Sequence, residues 1–243
     1  MDHSLISMLI ETMNYSLFLF DADDTLFDFK AAERHAFGAT MAVFTLSNWE
    51  SIFETYRHES ERVWRLLESN RITKEELKVE RFRRTFEEHG IEVDPSRASD
   101  AYLEALSETD ILNHYAFEIC EILSGFGEVG IVTNGIVTVQ KRRLQKSKIC
   151  SFISFIAVSD ECGYSKPDIR FFEYSVKLAR NFSKKSTLVI GDRIETDIIG
   201  ANNFGLASCL FNPSRTVYET DVRPKYEISC LSELKTIVKA LTY

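Results

Sequence analysis

The chain has 243 residues, 44% hydrophobic and 27% charged, which excludes disordered, collagen-like and disulfide-scaffold chains and allows one or two domains with a buried core. Acidic residues outnumber basic ones 37 to 29, for a net charge of −8. That balance argues against a general binder of polymeric nucleic acid or of anionic membranes, which carry a basic footprint.

In chain order, the first fourteen residues hold a short apolar stretch from Leu5 to Ile10, without a basic flank or a small-residue cleavage site. They read as a loose extension or a short helix rather than a signal peptide. Apolar runs of strand length follow at 16–20, 129–133, 152–158, 188–190 and 207–211. From the second onward they alternate with amphipathic stretches at about 137–147, 168–181 and 195–204, and a final helix is expected near 231–241. Near-continuous apolar strands separated by helices predict a parallel sheet covered on both faces. No run approaches the roughly 20 apolar residues of a membrane-spanning helix.

Residues 28–112, after the first strand, read as helix. Thr73 and Glu76 have the spacing of a capping box, Ile72 and Leu77 that of a hydrophobic staple, and Gly90 suits a left-handed helix end. The predicted fold is α/β: a doubly wound parallel sheet built from 15–27 and 113–243, with an α-helical domain, 28–112, inserted after the first strand. The five cysteines, at 120, 150, 162, 209 and 230, form no C-x-x-C pair, and the five histidines lack metal-ligand spacing. The cysteines read as free thiols of a cytoplasmic protein.

Ligands of open parallel sheets bind at the carboxyl ends of the strands. The first strand ends in Asp21-Ala22-Asp23-Asp24-Thr25 and the second in Thr133-Asn134-Gly135. Ser165-Lys166-Pro167-Asp168 follows the third strand, and Gly191-Asp192-Arg193-Ile194-Glu195-Thr196-Asp197 the fourth. Each motif alone has an ordinary reading as a turn, a helix cap or a favourable charge in a first helical turn. Together, in order on one sheet edge, they describe a magnesium-dependent phosphoryl-transfer site. Hard oxygen ligands suit Mg²⁺. One carboxylate can attack phosphorus, and a second, two residues on, can protonate the leaving oxygen and then activate water. If the segment stays extended, Asp21 and Asp23 point the same way. A hydroxyl and backbone N–H groups can cradle phosphate oxygens while a lysine offsets their charge.

On these four motifs the chain, from about Tyr15 to its end, resembles the haloacid-dehalogenase-like (HAD) hydrolase superfamily. The resemblance implies that Asp21 is the nucleophile and Asp23 the general acid/base. It implies that Thr133 and the Asn134 backbone bind phosphate and that Lys166 orients the nucleophile. Asp192 would ligate Mg²⁺ with Asp21 and the backbone carbonyl of Asp23, Asp197 would hold a metal-bound water, and Thr25 and Asp24 are supporting positions. The second aspartate, which dehalogenases of the superfamily generally lack, points to a phosphatase or phosphomutase. The helical insert matches the cap domain of one subgroup, a lid that excludes water and selects the leaving group.

Residues 20–29, 131–135 and 158–167, with the stretch from Asn70, Arg71, Ile72 and Thr73 to Arg81 and Phe82, look most like the bacterial pyrimidine 5′-nucleotidases. That likeness implies a nucleoside monophosphate as substrate, with Asn70, Arg71 and Arg193 as candidates for its recognition. Two departures stand out. Asn113-His114-Tyr115 replaces the Pro-Gly that often precedes the second strand, and Arg193 stands where many relatives have a small hydroxyl residue. A sugar-phosphate or phosphoglycolate phosphatase, a phosphomutase, and a non-catalytic Mg²⁺-binding regulatory module are the competing readings. No G-x-x-x-x-G-K-[ST] motif exists, so a P-loop protein is excluded.

Overall fold

The computed structural model describes residues 15–69 and 71–239. The apolar stretch Leu5 to Ile10 and Asn70 lie outside them. The chain divides into two compact units, one made of residues up to Asp28 and from Ile111 onward, the other of Phe29–Asp110.

The second unit is helical: α1 (Phe29–Val43), α2 (Glu50–Glu68), α3 (Lys74–His89) and α4 (Pro95–Ser107), with α1 packed on α4, α2 on α3 and α3 on α4. Its core is aromatic, with Phe37, Phe53, Tyr56, Phe82 and Tyr102 in mutual ring contact. The capping box at the start of α3 is present in both directions, and Gly90 ends that helix at φ +61°.

The first unit is the α/β layer sandwich that the apolar runs predict. Its six strands are β1 (Leu17–Phe20), β2 (Glu128–Thr133), β3 (Phe155–Val158), β4 (Thr187–Gly191), β5 (Ala207–Phe211) and β6 (Tyr226–Ile228). They lie in the order β3-β2-β1-β4-β5-β6, and all five pairings are parallel. The helices of this unit are α5 (Ala116–Ser124), α6 (Val137–Lys146), α7 (Ser159–Cys162), α8 (Ile169–Lys177), α9 (Ile199–Phe204) and α10 (Leu234–Lys239).

Strand alternation explains the two-sided core. Phe18 and Phe20 of β1 join Ile131, Ile190 and Cys209 in a cluster with Ile119 and Leu123 of α5 and Leu234 of α10. Leu17 and Leu19 face the other way, toward Phe171 and Phe172 of α8 and Ala201 of α9. Gly130 is required on β2, because a Cβ there would lie 2.4 Å from the ring of Phe155 on the neighbouring strand.

The structure moves two of these boundaries and adds elements to them. The run 152–158 is strand only from Phe155, since Lys148–Phe152 winds into one 3₁₀ helix first. The stretch 195–204 opens as a π-helical turn, Ile194–Ile198, before α9 begins. The edge strand β6 and helix α5 were not among the predicted elements. All five cysteines are free, and burial pushes the Cys120 thiol up to about 12. No helix among the described residues is long and apolar enough to cross a membrane.

Candidate active site

The site is built where β1, β2 and β4 end. Asp21 continues the sheet by one bond, its N–H donating to the Ile190 carbonyl at 2.8 Å. The chain then turns: Leu26 N–H and Phe27 N–H both donate to the Ala22 carbonyl, at 3.0 and 2.9 Å, and Asp24 takes a left-handed φ of 57°. Asp21 and Asp23 therefore do not sit on one extended segment, and strand alternation does not govern where their carboxyls go. Each is held by its own partners.

Asp21 is 8% exposed and accepts from the Lys166 ammonium. Lys166 Nζ also donates to Asp197 Oδ1 at 2.7 Å and to the Val132 carbonyl at 2.8 Å, so all three of its hydrogens have acceptors. The loop carrying Lys166 is fastened to the end of β2 by Asn134. Its side-chain oxygen accepts from Lys166 N–H at 2.8 Å, and its amide donates to the Lys166 carbonyl at 3.0 Å. The lysine is aimed by that pair of hydrogen bonds. Thr133, buried at the end of β2, accepts from Gly135 N–H at 3.1 Å.

Asp192 and Asp197 come from the turn after β4. The π-helical turn places Asp197, whose Oδ2 accepts from Arg193 N–H at 3.1 Å, and Thr25 donates to Asp192 Oδ1 at 3.2 Å. Gly191 makes this turn possible, since a Cβ there would lie 2.3 Å from Cγ of Asp197. Ligand oxygens of Asp21, Asp192 and Asp197 lie within 4.8 Å of one another.

Charge in this cluster is unbalanced. Burial is the largest influence on Asp21 and raises its pKa well above the ordinary value; Lys166 opposes that shift, while Asp197 and Asp192 add to it. Asp192 is pushed up to about 7, by burial first and then by Asp197 and Asp24. Burial pulls Lys166 down, but Asp197 and Asp21 outweigh it and hold its pKa above the ordinary value. Three close carboxylates facing one ammonium suit a hard divalent cation with oxygen ligands, and one seated there would favour the charged forms of both aspartates.

Asp23 has different partners, which the motifs did not point to. Arg143 Nη1 donates to Asp23 Oδ1 at 2.5 Å, and Gln140 Nε2 donates to Asp23 Oδ2 at 2.5 Å. Both donors stand on α6. The signal for them lies in the helical period, since Val139, Gln140, Arg143 and Leu144 form its buried face, and two of these four core positions are polar. Of the remaining candidates, Arg193 is exposed beside the cluster, and Arg71 is exposed in the helical unit, between α2 and α3.

With this geometry in view, comparison with known proteins gives a consistent result. The family model for haloacid dehalogenase-like hydrolases matches residues 15–205. The HAD-hydrolase YfnB of Bacillus subtilis is 33% identical over 224 residues, covering 92% of this chain and 95% of that protein. The pyrimidine 5′-nucleotidase YjjG of Escherichia coli is 28% identical, covering 93% of this chain and 99% of its own length. The pyrimidine 5′-nucleotidase PynA of Streptococcus pneumoniae is 30% identical, covering 95% and 100%. The crystal structure of YfnB bound to magnesium superposes with a TM-score of 0.87 at 32% identity, over 93% of this chain and 99% of that one. Motifs, sheet order and family match agree, and this chain belongs to the haloacid dehalogenase-like hydrolase family.

Proposed function

We propose that the chain is a magnesium-dependent phosphatase that hydrolyses nucleoside 5′-monophosphates, pyrimidine ones in particular, through an aspartyl-phosphate. The observation that carries the chemistry is the Lys166 ammonium between Asp21 and Asp197, with Asp192 beside them. The choice of nucleotide draws on the likeness to YjjG and PynA, both pyrimidine 5′-nucleotidases, over nearly the whole chain.

In this reading a carboxylate oxygen of Asp21 attacks phosphorus, the bond to the ester oxygen breaks, and Asp23 gives that oxygen its proton. Water then attacks the aspartyl-phosphate and passes a proton to Asp23, releasing phosphate and restoring Asp21. Thr133 accepts from Gly135 N–H, which leaves its own hydroxyl hydrogen for a phosphate oxygen, beside the backbone N–H of Asn134. Lys166 keeps Asp21 oriented and offsets charge as phosphate enters. Asp21, Asp192 and the backbone carbonyl of Asp23 would hold Mg²⁺, with Asp197 reaching it through a water, and the ion would neutralise charge on the phosphate oxygens.

The test is a panel of dUMP, dTMP, UMP, glucose 6-phosphate and phosphoglycolate, assayed for phosphate release with and without Mg²⁺. Faster turnover of the three nucleotides is expected, with Asp21→Asn inactive yet folded. A preference for glucose 6-phosphate or phosphoglycolate overturns the nucleotide assignment, and activity that survives Asp21→Asn overturns the covalent route.

A further inference from the structure

Asp23 is gripped at both carboxyl oxygens by residues to which the phosphoryl-transfer scheme gives no part, Arg143 at Oδ1 and Gln140 at Oδ2. The grip is built at some cost. Arg143 is fully buried, its guanidinium lies 4.5 Å from the ring centroid of Phe27, and its Nε and Nη2 have no hydrogen-bond partner. Burying a charge is costly unless it is paired and hydrogen-bonded, so this one depends on its ion pair. The anion it meets is Asp23, 120 residues earlier in the chain.

Gln140 ties this pair to the phosphate cradle. Its amide nitrogen also lies 3.4 Å from Thr133 Oγ1, and its side-chain oxygen accepts from Arg143 Nη1 at 3.4 Å. Gly135 leaves the space it occupies, since a Cβ there would lie 2.3 Å from Gln140 Nε2. One face of α6 thus reaches both the acid/base carboxyl and the phosphate-binding hydroxyl.

We propose that Gln140 and Arg143 are positioning residues that fix the Asp23 carboxyl for proton transfer to the leaving oxygen. The inference rests on the phosphatase reading above, in which Asp23 moves that proton. A carboxyl held at one oxygen swings about its last torsion, whereas one held at both does not. Each oxygen has two lone pairs, so the double grip still leaves a place for the travelling proton. Proton transfer depends on such alignment. As the ester P–O bond breaks and the bond from Asp21 to phosphorus forms, the proton leaves Asp23 for the ester oxygen. In the second half-reaction Asp23 takes a proton from water.

The leaving group separates this role from a merely structural one. Nitrophenolate departs readily without a proton, and phenolate far less so. The experiment measures single-turnover release of the phenol, with saturating Mg²⁺, across a series of aryl phosphates from p-nitrophenyl phosphate to phenyl phosphate. Gln140→Met and Arg143→Met are expected to lose at least about tenfold more rate with phenyl phosphate than with p-nitrophenyl phosphate. Arg143→Lys, which keeps a cation beside Asp23, is expected to stay nearer the wild-type slope. Should Arg143→Met fail to fold, Gln140→Met, close to the original in volume, carries the same comparison. Equal losses across the series overturn the inference while the phosphatase reading stands, and so does an Arg143→Lys slope steeper than that of Arg143→Met. A wild type that releases no phosphate from any of these esters overturns the phosphatase reading and the inference with it.

Discussion

Lys166 satisfies three acceptors at once, and two of them are buried carboxylates. Breaking a buried pair by deleting one partner costs about 3–5 kcal/mol, because the other charge is left uncompensated. Lys166→Met is therefore expected to lower the denaturation midpoint of the α/β unit markedly in urea, and an unchanged midpoint counts against this account of the charge balance. Asp21, Thr133, Lys166 and Asp192 were legible in the sequence because strand ends in a parallel sheet must converge. Gln140 and Arg143 were not. Each is an ordinary helix residue by type, and their meaning comes from contacts with Asp23 across 117 and 120 residues of chain. The turn that follows Asp21 was hidden for a similar reason. The chain leaves the strand conformation just where the first aspartate stands, and Ala22 closes the turn with two backbone bonds that no side-chain pattern announces.

Helix α3 is a contrasting case, in which local chemistry suffices. Thr73 and Glu76 bond reciprocally, at 3.2 Å from Glu76 N–H to Thr73 Oγ1 and 2.7 Å from Thr73 N–H to the Glu76 carboxylate. Because the whole motif spans four residues, sequence alone revealed it. Replacing a threonine cap by alanine costs about 1 kcal/mol, so Thr73→Ala is expected to speed amide hydrogen exchange in the first turns of α3. Thr73 N–H, followed by the Thr73 hydroxyl, lowers the Glu76 pKa below its ordinary value of 4.5. A carboxylate with a depressed folded-state pKa stabilises above its unfolded pKa, and the contribution is lost as pH falls through the folded value. The exchange difference between wild type and Thr73→Ala should accordingly shrink on acidification below about 4.5. A difference that stays constant at low pH rules out the box as its source. Elements with no such local signature were harder to read. β6 has only three residues at a sheet edge, too few for a period to show.

At the scale of the molecule, the net charge of −8 does not bar an anionic substrate, since part of it is gathered as Asp21, Asp192 and Asp197 around Lys166. A ligand that binds only the folded state stabilises it by about 2.7 kcal/mol at a hundredfold excess over its dissociation constant. Magnesium chloride is expected to raise the melting temperature of the wild type by several degrees, with EDTA reversing the rise. In Asp192→Asn the shift should nearly vanish, and an undiminished shift there places the ion elsewhere. The α/β class and its parallel strands were legible because each buried strand is a compact apolar run. The order of the strands in the sheet was not, because a parallel pairing leaves no mark on either partner's own residues.

That order has a consequence for how the protein is made. β1 lies between β2 and β4, yet it leaves the ribosome about 110 residues before the first of them and about 170 before the second. At roughly 5–20 residues per second, a wholly apolar strand waits for many seconds with both hydrogen-bonding edges open. The four helices encoded directly behind it have their own aromatic core and nearby partners, so they can form while it waits. The nascent chain is thus open to mispairing along one edge of β1 until β2 arrives and along the other until β4 does.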